Sequence, residues 1–187
     1  MNLMTTAPNE ILTLNAHLRR LSKDHSADFS AMNSDPQVME FFPRPLSIEE
    51  SQSILEGIER EFADRGFGIY AVEVETEFAG VVGLSIPSFQ AYFTPCVEIL
   101  WRFRPRFWGR GIASEAAAAV LQMAFDTLLM PEVVAFAVMD NLRSIRVMER
   151  VGMKRDQRAY FDHPDVTDAR LRRHVLYRAT PAPCIPD

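Results

Sequence analysis

Cysteine is scarce: Cys96 and Cys184 are the only two in 187 residues. Two thiols cannot build a disulfide framework or a four-sulfur zinc site. The four histidines, His17, His25, His163 and His174, show no short ligand spacing, so no metal is expected. With 8 glycines and 12 prolines, collagen-like and low-complexity architectures are excluded. Basic charge is in deficit, 20 Lys and Arg against 25 Asp and Glu, for a net charge of −5. That counts against broad nucleic-acid binding while leaving room for a local basic site. No long hydrophobic run is present either. The longest, Ala116 to Met130, is interrupted by Gln122 and Asp126, and the opening MNLMTTAPNE is polar. No membrane segment and no signal peptide is therefore expected, and a reducing cytoplasm is the expected compartment.

What remains is a chain 48% apolar and 24% charged, a composition that buries a core. At this length one domain over residues 1–187 is expected, burying about 70% of its unfolded surface. Its core should run from about residue 11 to 178, with a loose start and a tail, TPAPCIPD, that three prolines keep out of regular structure.

Ile11 to Leu21 alternates as a strand does, and Asp24 can cap a short helix reaching Met32, before a turn at Asp35-Pro36. Ser47 and Glu50 form a capping box ahead of a helix that places Ile48, Ile54, Leu55, Ile58 and Phe62 near one stripe, ending at Gly66 and Gly68. Ile69–Val74 and Phe78–Ile86 read as a hairpin across a polar ETE, followed by a strand from Cys96 to Phe103. A helix from Gly109 to Leu129 is stopped by Pro131; Val133–Met139 is a buried strand; Asn141–Val151 is a helix closed by Gly152; His174–Arg178 is a last strand. Hairpins together with a strand–helix–strand unit imply an α/β (α+β) fold, its sheet mixed and its helices on both faces.

Chemistry concentrates between Val97 and Phe125. A strand ends at Phe103, a turn with Gly109, Gly111 and Ala113 follows, and an alanine-rich helix begins. Small residues let a ligand approach the main chain, and the first helical turn leaves amides unpaired at the positive end of its dipole. A phosphate or pyrophosphate suits such a site. Arg102, Arg104, Arg106 and Arg110 lie nearby with no acid among them, which strengthens the anion reading. A P-loop is excluded because Gly-Ile-Ala stands where Gly-Lys-Ser/Thr is needed. A dinucleotide fingerprint fails at Ser114 and at the late Met139-Asp140.

Arg106-Phe-Trp-Gly109-Arg-Gly111 matches the Arg/Gln-x-x-Gly-x-Gly/Ala signature of the GNAT-type N-acetyltransferases, and the chain resembles that family. Asn141-Leu-Arg-Ser144 through Glu149-Arg-Val-Gly152-Met153 is similar to the family's segment after the fifth strand. Asp35-Pro36-Gln-Val-Met39 and Pro45 to Glu50 resemble the branch of ribosomal-protein N-terminal acetyltransferases. The resemblance implies a largely antiparallel, twisted sheet whose central strands splay apart. It implies acetyl-CoA as co-substrate and direct transfer of its acetyl group to a primary amine. The acceptor is a protein N-terminus, a small metabolite or a drug-like amine.

By the same resemblance the pantetheine arm lies along Leu100, Trp101, Arg102 and Phe103. The pyrophosphate rests on the amides of Trp108, Gly109, Arg110, Gly111, Ile112 and Ala113, with charge from Arg106 and Arg110. Many relatives place a tyrosine acid where this chain has Met148, which donates no proton; Ser144 is the nearest alternative for the departing thiolate. Asn141 either pins the pantetheine or caps a helix. Glu98, interrupting an apolar strand, is the candidate base; His163 in Phe161-Asp162-His163-Pro164-Asp165 is another, in a segment that also reads as a polar turn. The rings of Trp101, Phe107 and Trp108 read as packing.

The implied partners are acetyl-CoA and an amine, for a monomer or homodimer. A catalytically silent acyl-CoA-binding module is the alternative that loss of the tyrosine suggests. Nucleic-acid binding through Arg170-Leu-Arg172-Arg173-His174 is a third reading, which the acidic total opposes.

Overall fold

The computed structural model describes residues 5–182, so Cys184 and the end of the proline-rich tail lie outside the described residues. The strands are β1 (Glu10–Leu12), β2 (His17–Arg20), β3 (Ile69–Val74), β4 (Glu77–Ser85), β5 (Glu98–Phe103), β6 (Val133–Val138), β7 (Lys154–Asp162) and β8 (Arg173–Ala179). They form one sheet in the order β1-β2-β3-β4-β5-β6-β8-β7. Every neighbouring pair is antiparallel except β5 and β6, which run parallel. The helices are α1 (Ser26–Ser34), α2 (Ile48–Arg65), α3 (Ile112–Asp126), α4 (Leu142–Arg150) and the short α5 (Ala169–Arg172).

Continuous apolar sequence in β3 and β4 follows from cover on both faces of the sheet. Ile69, Ala71 and Val81 pack with Phe29 and Met32 of α1 and Leu55 of α2. Tyr70, Val72, Val82, Leu84 and Ile99 face the other way, onto Ala116, Ala117, Val120 and Ala124 of α3. The expected mixed sheet with helices on both faces is the fold observed.

The start of α2 is the capping box read in the sequence: Glu50 N–H donates to Ser47 Oγ at 3.1 Å, and Ser47 N–H donates to Glu50 Oε2 at 2.8 Å. Elsewhere boundaries move. The strand expected over Ile11–Leu21 is a hairpin, because Thr13 and Ala16 close a turn on each other and leave Leu12 and Leu14 in solvent. Ser22, not Asp24, caps a short 3-10 turn, and α1 follows from Ser26. Ile48 and Ile54, expected on the core stripe of α2, are exposed. The β3–β4 turn has two residues, Glu75 and Thr76, both at positive φ, while Glu77 already pairs with Val74. α3 ends at Asp126, before Pro131, as the chain turns through Leu129 at φ 54°.

β7 is the element the sequence does not announce. Its KRDQRAYFD buries only Phe161. It is an edge strand held by main-chain pairing to β8, with a bulge between Arg155 and Tyr160. The supposed polar turn from Phe161 therefore begins two residues later, at His163.

Candidate active site

Two parallel strands part at the centre of the sheet. β5 and β6 share one bridge, Glu98 with Val134, where Val134 N–H donates to Val97 O at 2.9 Å. Beyond it β6 turns fully to β8 and β5 to β4. Main-chain groups along a strand alternate in direction. Arg104 N–H donates to Ala79 O at 2.9 Å, so even-numbered amides of β5 serve β4 and odd-numbered ones face the gap. Of the four residues expected to meet a pantetheine arm, Trp101 and Phe103 thus point their amides into the opening; Leu100 and Arg102 do not. The Phe103 carbonyl is taken by the Trp108 indole N–H, at 2.8 Å.

The opening leads to the start of α3. Gly109 (φ 73°) and Gly111 (φ 82°) bend the chain through left-handed conformations that glycine adopts without strain. The amides of Gly109, Arg110, Gly111, Ile112, Ala113 and Ser114 donate to no acceptor among the described residues, because the first bond of the helix is Glu115 N–H to Gly111 O. Trp108 is a correction: its amide is already spent on Pro105 O, at 3.0 Å. Six consecutive free amides at a helix start are able to receive an anion.

The expected arginine cluster does not converge on it. Arg104 pairs with Asp28 at 3.2 Å, Arg106 pairs with Glu77 at 3.0 Å, and Arg102 donates to Asn33 Oδ1. Arg110 lies over Phe107, its guanidinium carbon 5.4 Å from the ring centre. The positive side chains beside the free amides come instead from α4: Arg143, Arg146 and Arg150 line a cavity of about 270 Å³ together with Gly109, Gly111, Ala113 and Ser114. Arg146 and Arg150 make no ion pair among the described residues, whereas Arg143 reaches Glu40 at 2.5 Å. Sequence reasoning missed these residues, although their spacing of three and four put them on one helical face. Ile112 contributes its amide only, since its side chain is buried in the core.

A larger cavity of about 590 Å³ adjoins, and Phe41, Phe42, Trp101, Arg102, Asn141 and Ser144 line both. Glu98 opens into the larger one with no hydrogen-bond or ionic partner among the described residues, and burial pushes its carboxyl up to about 8. Asn141 caps α4: its Oδ1 accepts from Ser144 N–H at 3.1 Å. That leaves the Ser144 hydroxyl free at the cavity wall. Met148 is buried at the position where a tyrosine was expected in relatives.

His163 and His174 line the same cavity, their ring centres 5.2 Å apart. His174 Nδ1 donates to Arg172 O at 3.0 Å, which fixes its bare nitrogen as Nε2 when neutral; burial lowers its pKa and keeps it so. His163 Nδ1 accepts from Asp165 N–H at 3.3 Å, and burial lowers its pKa too. His174 was read only as part of a strand and a basic run. That run is partly offset by two carboxylates: Arg173 meets Asp162 at 2.6 Å, Arg172 meets it at 3.6 Å, and Arg170 lies 4.0 Å from Asp168. No group of three metal-ligating side chains occurs among the described residues, and none of their helices is long and apolar enough to cross a membrane.

Known proteins resemble this chain in sequence and in fold. A family model, the acetyltransferase (GNAT) domain, matches residues 15–154. An uncharacterized N-acetyltransferase of Bacillus subtilis, YnaD, is 28% identical over 124 residues, covering 66% of this chain and 69% of that one. The FsC-acetyl coenzyme A-N(2)-transacetylase of Aspergillus fumigatus is 28% identical over 148 residues, 75% of this chain; the match spans 63% of the fungal protein. Among solved structures, the Microcin C7 self immunity acetyltransferase MccE, in complex with acetyl-CoA and AMP, superposes with a TM-score of 0.75 at 16% identity, covering 94% of this chain and 98% of that one.

Proposed function

The chain belongs to the GNAT acetyltransferase family, and from that premise we propose that it carries an acetyl group from acetyl-CoA directly to the nitrogen of a primary amine. One observation carries this reading: the seam between β5 and β6 leads straight to six unpaired amides at the start of α3. The residues present fit acetyl-CoA. The amides of Gly109 to Ser114 would receive the pyrophosphate, with Arg146 and Arg150 adding charge beside them. Trp101 and Phe103 offer the gap amides that a pantetheine arm pairs with, as an added strand would. Acetyl-CoA supplies an acyl carbon already activated toward an amine.

The side chains then divide the work. Glu98 accepts the proton of the attacking amine. A carboxyl near 8 is about one-tenth ionised at pH 7, and it gains affinity for a proton over an ordinary glutamate. A free amide on β5 donates to the carbonyl oxygen as negative charge grows there. Nitrogen bonds to the acyl carbon, the carbon–sulfur bond breaks, and the Ser144 hydroxyl donates to the thiolate. Asn141 holds the first turn of α4, which positions Ser144.

The test is a thiol-release assay with acetyl-CoA and a panel of primary amines. Stoichiometric release of free thiol with formation of acetylated amine is expected. Tight binding of acetyl-CoA without turnover on any amine would favour a silent acyl-CoA-binding module.

A further inference from the structure

Arg102 is a cation inside the cavity that the transfer does not use. It shares a face of β5 with Glu98 and Leu100, opposite the face that Ile99 and Phe103 give to the α3 core. Its two neighbours along the chain, Arg104 and Arg106, each found a carboxylate; Arg102 has none among the described residues. Its Nη1 donates to the neutral Oδ1 of Asn33, itself fully buried, and its guanidinium carbon sits 4.2 Å from the centre of the Phe42 ring. Its Nε is sealed from water with no acceptor. Nη2 has no partner among the described residues and is not sealed in that way. Burial brings its pKa down to about 10, so it remains a cation at neutral pH.

A charge largely withdrawn from water, answered by one amide oxygen and one aromatic face, is costly to hold. An anion arriving in the cavity would remove that cost. On the transferase reading the coenzyme's phosphates meet the Gly109–Ser114 amides and α4 and its pantetheine is neutral; Arg102 borders that cavity too, but it shares the larger one with Glu98. On the transferase reading above, the anion belongs to the acceptor. We propose that the acceptor is an amino carboxylate, its carboxylate held by the Arg102 guanidinium and its amine facing Glu98.

The chemistry narrows the class further. One guanidinium charge is matched by one carboxylate, whereas a dianionic phosphate would leave surplus negative charge beside Glu98. Four residues of strand separate the Cα atoms of Glu98 and Arg102 by about 13 Å. Phe29, Ile58, Val81 and Leu100 line the same cavity, so an apolar spacer between the two ends is favoured.

The test uses straight-chain ω-amino carboxylates from γ-aminobutyrate to ω-aminooctanoate, each paired with its terminal amide. Each is titrated calorimetrically into the protein saturated with CoA and assayed by thiol release from acetyl-CoA. At least one carboxylate should bind about tenfold more tightly than its amide. Arg102→Gln should erase that preference while leaving amide binding unchanged, and Arg102→Lys should retain part of it. Circular dichroism confirms that both variants fold. Absence of any carboxylate preference across the series, through equal binding or through none, overturns the proposal. So does an Arg102→Gln variant that weakens both members of a pair alike. Turnover on the amide probes without a carboxylate preference would leave the transferase standing and remove only Arg102's role. A protein that fails to bind acetyl-CoA would sink the transferase reading by itself.

Discussion

Glu98 and Val134 form the single bridge between β5 and β6 among the described residues, so the candidate base stands at the point where the sheet begins to open. Its position explains both its burial and its access. Strand pairing surrounds it on either side, and the cavity begins at its carboxyl.

Glu98→Gln should lower kcat by about a hundredfold or more, the usual contribution of a positioned general base. The wild-type rate should rise with pH through about 8 as the carboxyl ionises, and the variant should lose that limb. Stability should move the other way. The carboxyl keeps its proton up to about 8 in the folded protein, while in the unfolded chain it ionises near 4.5. The native state therefore binds more protons across that window, and wild-type stability falls as pH rises through it. Glutamine carries no such penalty. Denaturation at about pH 5 and about pH 9 should show the variant gaining on wild type at the higher pH, by about 4 kcal/mol. Equal midpoints at both would remove the buried-carboxyl account.

Gly111→Val should damage coenzyme binding without unfolding α3. Space around a Cβ there is open, but φ of 82° is a conformation a β-branched residue rarely adopts. Local relaxation would turn the Gly109–Ser114 amides, while Ile112, Ala116 and Ala117 stay anchored in the core. A rise of about tenfold or more in the acetyl-CoA Kd is expected, with helical content retained. Unchanged affinity in a folded variant would mean the pyrophosphate sits elsewhere.

Arginine substitutions should separate the charges that face the cavity from those that do not. Arg146→Gln and Arg150→Gln should each raise the acetyl-CoA Kd by about threefold to tenfold, and flatten its dependence on salt. Arg106→Gln should change it by less than about twofold, because that guanidinium is already engaged by Glu77. The reverse order, measured by titration at two salt concentrations, would return the phosphate charge to the turn.

That contrast shows where sequence was informative. The Gly109 and Gly111 turn was legible because its geometry is local: small residues, a strand before and a helix after. Ser47 and Glu50 were legible for the same reason. The fate of the arginines was not, because Asp28 and Glu77, which neutralise Arg104 and Arg106, lie far away in sequence. β7 was hidden because its pairing with β8 is main-chain and most of its charged side chains face water, Asp156 excepted, which is drawn in by Arg178 of β8. His174 joined the cavity through the pairing of Val138 with β8, a long-range register no local pattern encodes.

Ser144→Ala tests the leaving-group role. The Ser144 amide is committed to Asn141 Oδ1, so the hydroxyl alone is lost, and α4 should start as before. Met148, buried behind it, has no proton to offer in its place. Turnover should fall by about tenfold to a hundredfold, the range for a hydrogen bond to a charged group, while acetyl-CoA affinity stays within about twofold. Ser144→Thr, which keeps a hydroxyl, should recover part of the loss. Asn141→Ala provides the contrast: losing the cap should cost about 1 kcal/mol of stability and disturb binding and turnover together. Wild-type turnover in Ser144→Ala would take Ser144 out of the chemistry and leave thiolate protonation to solvent.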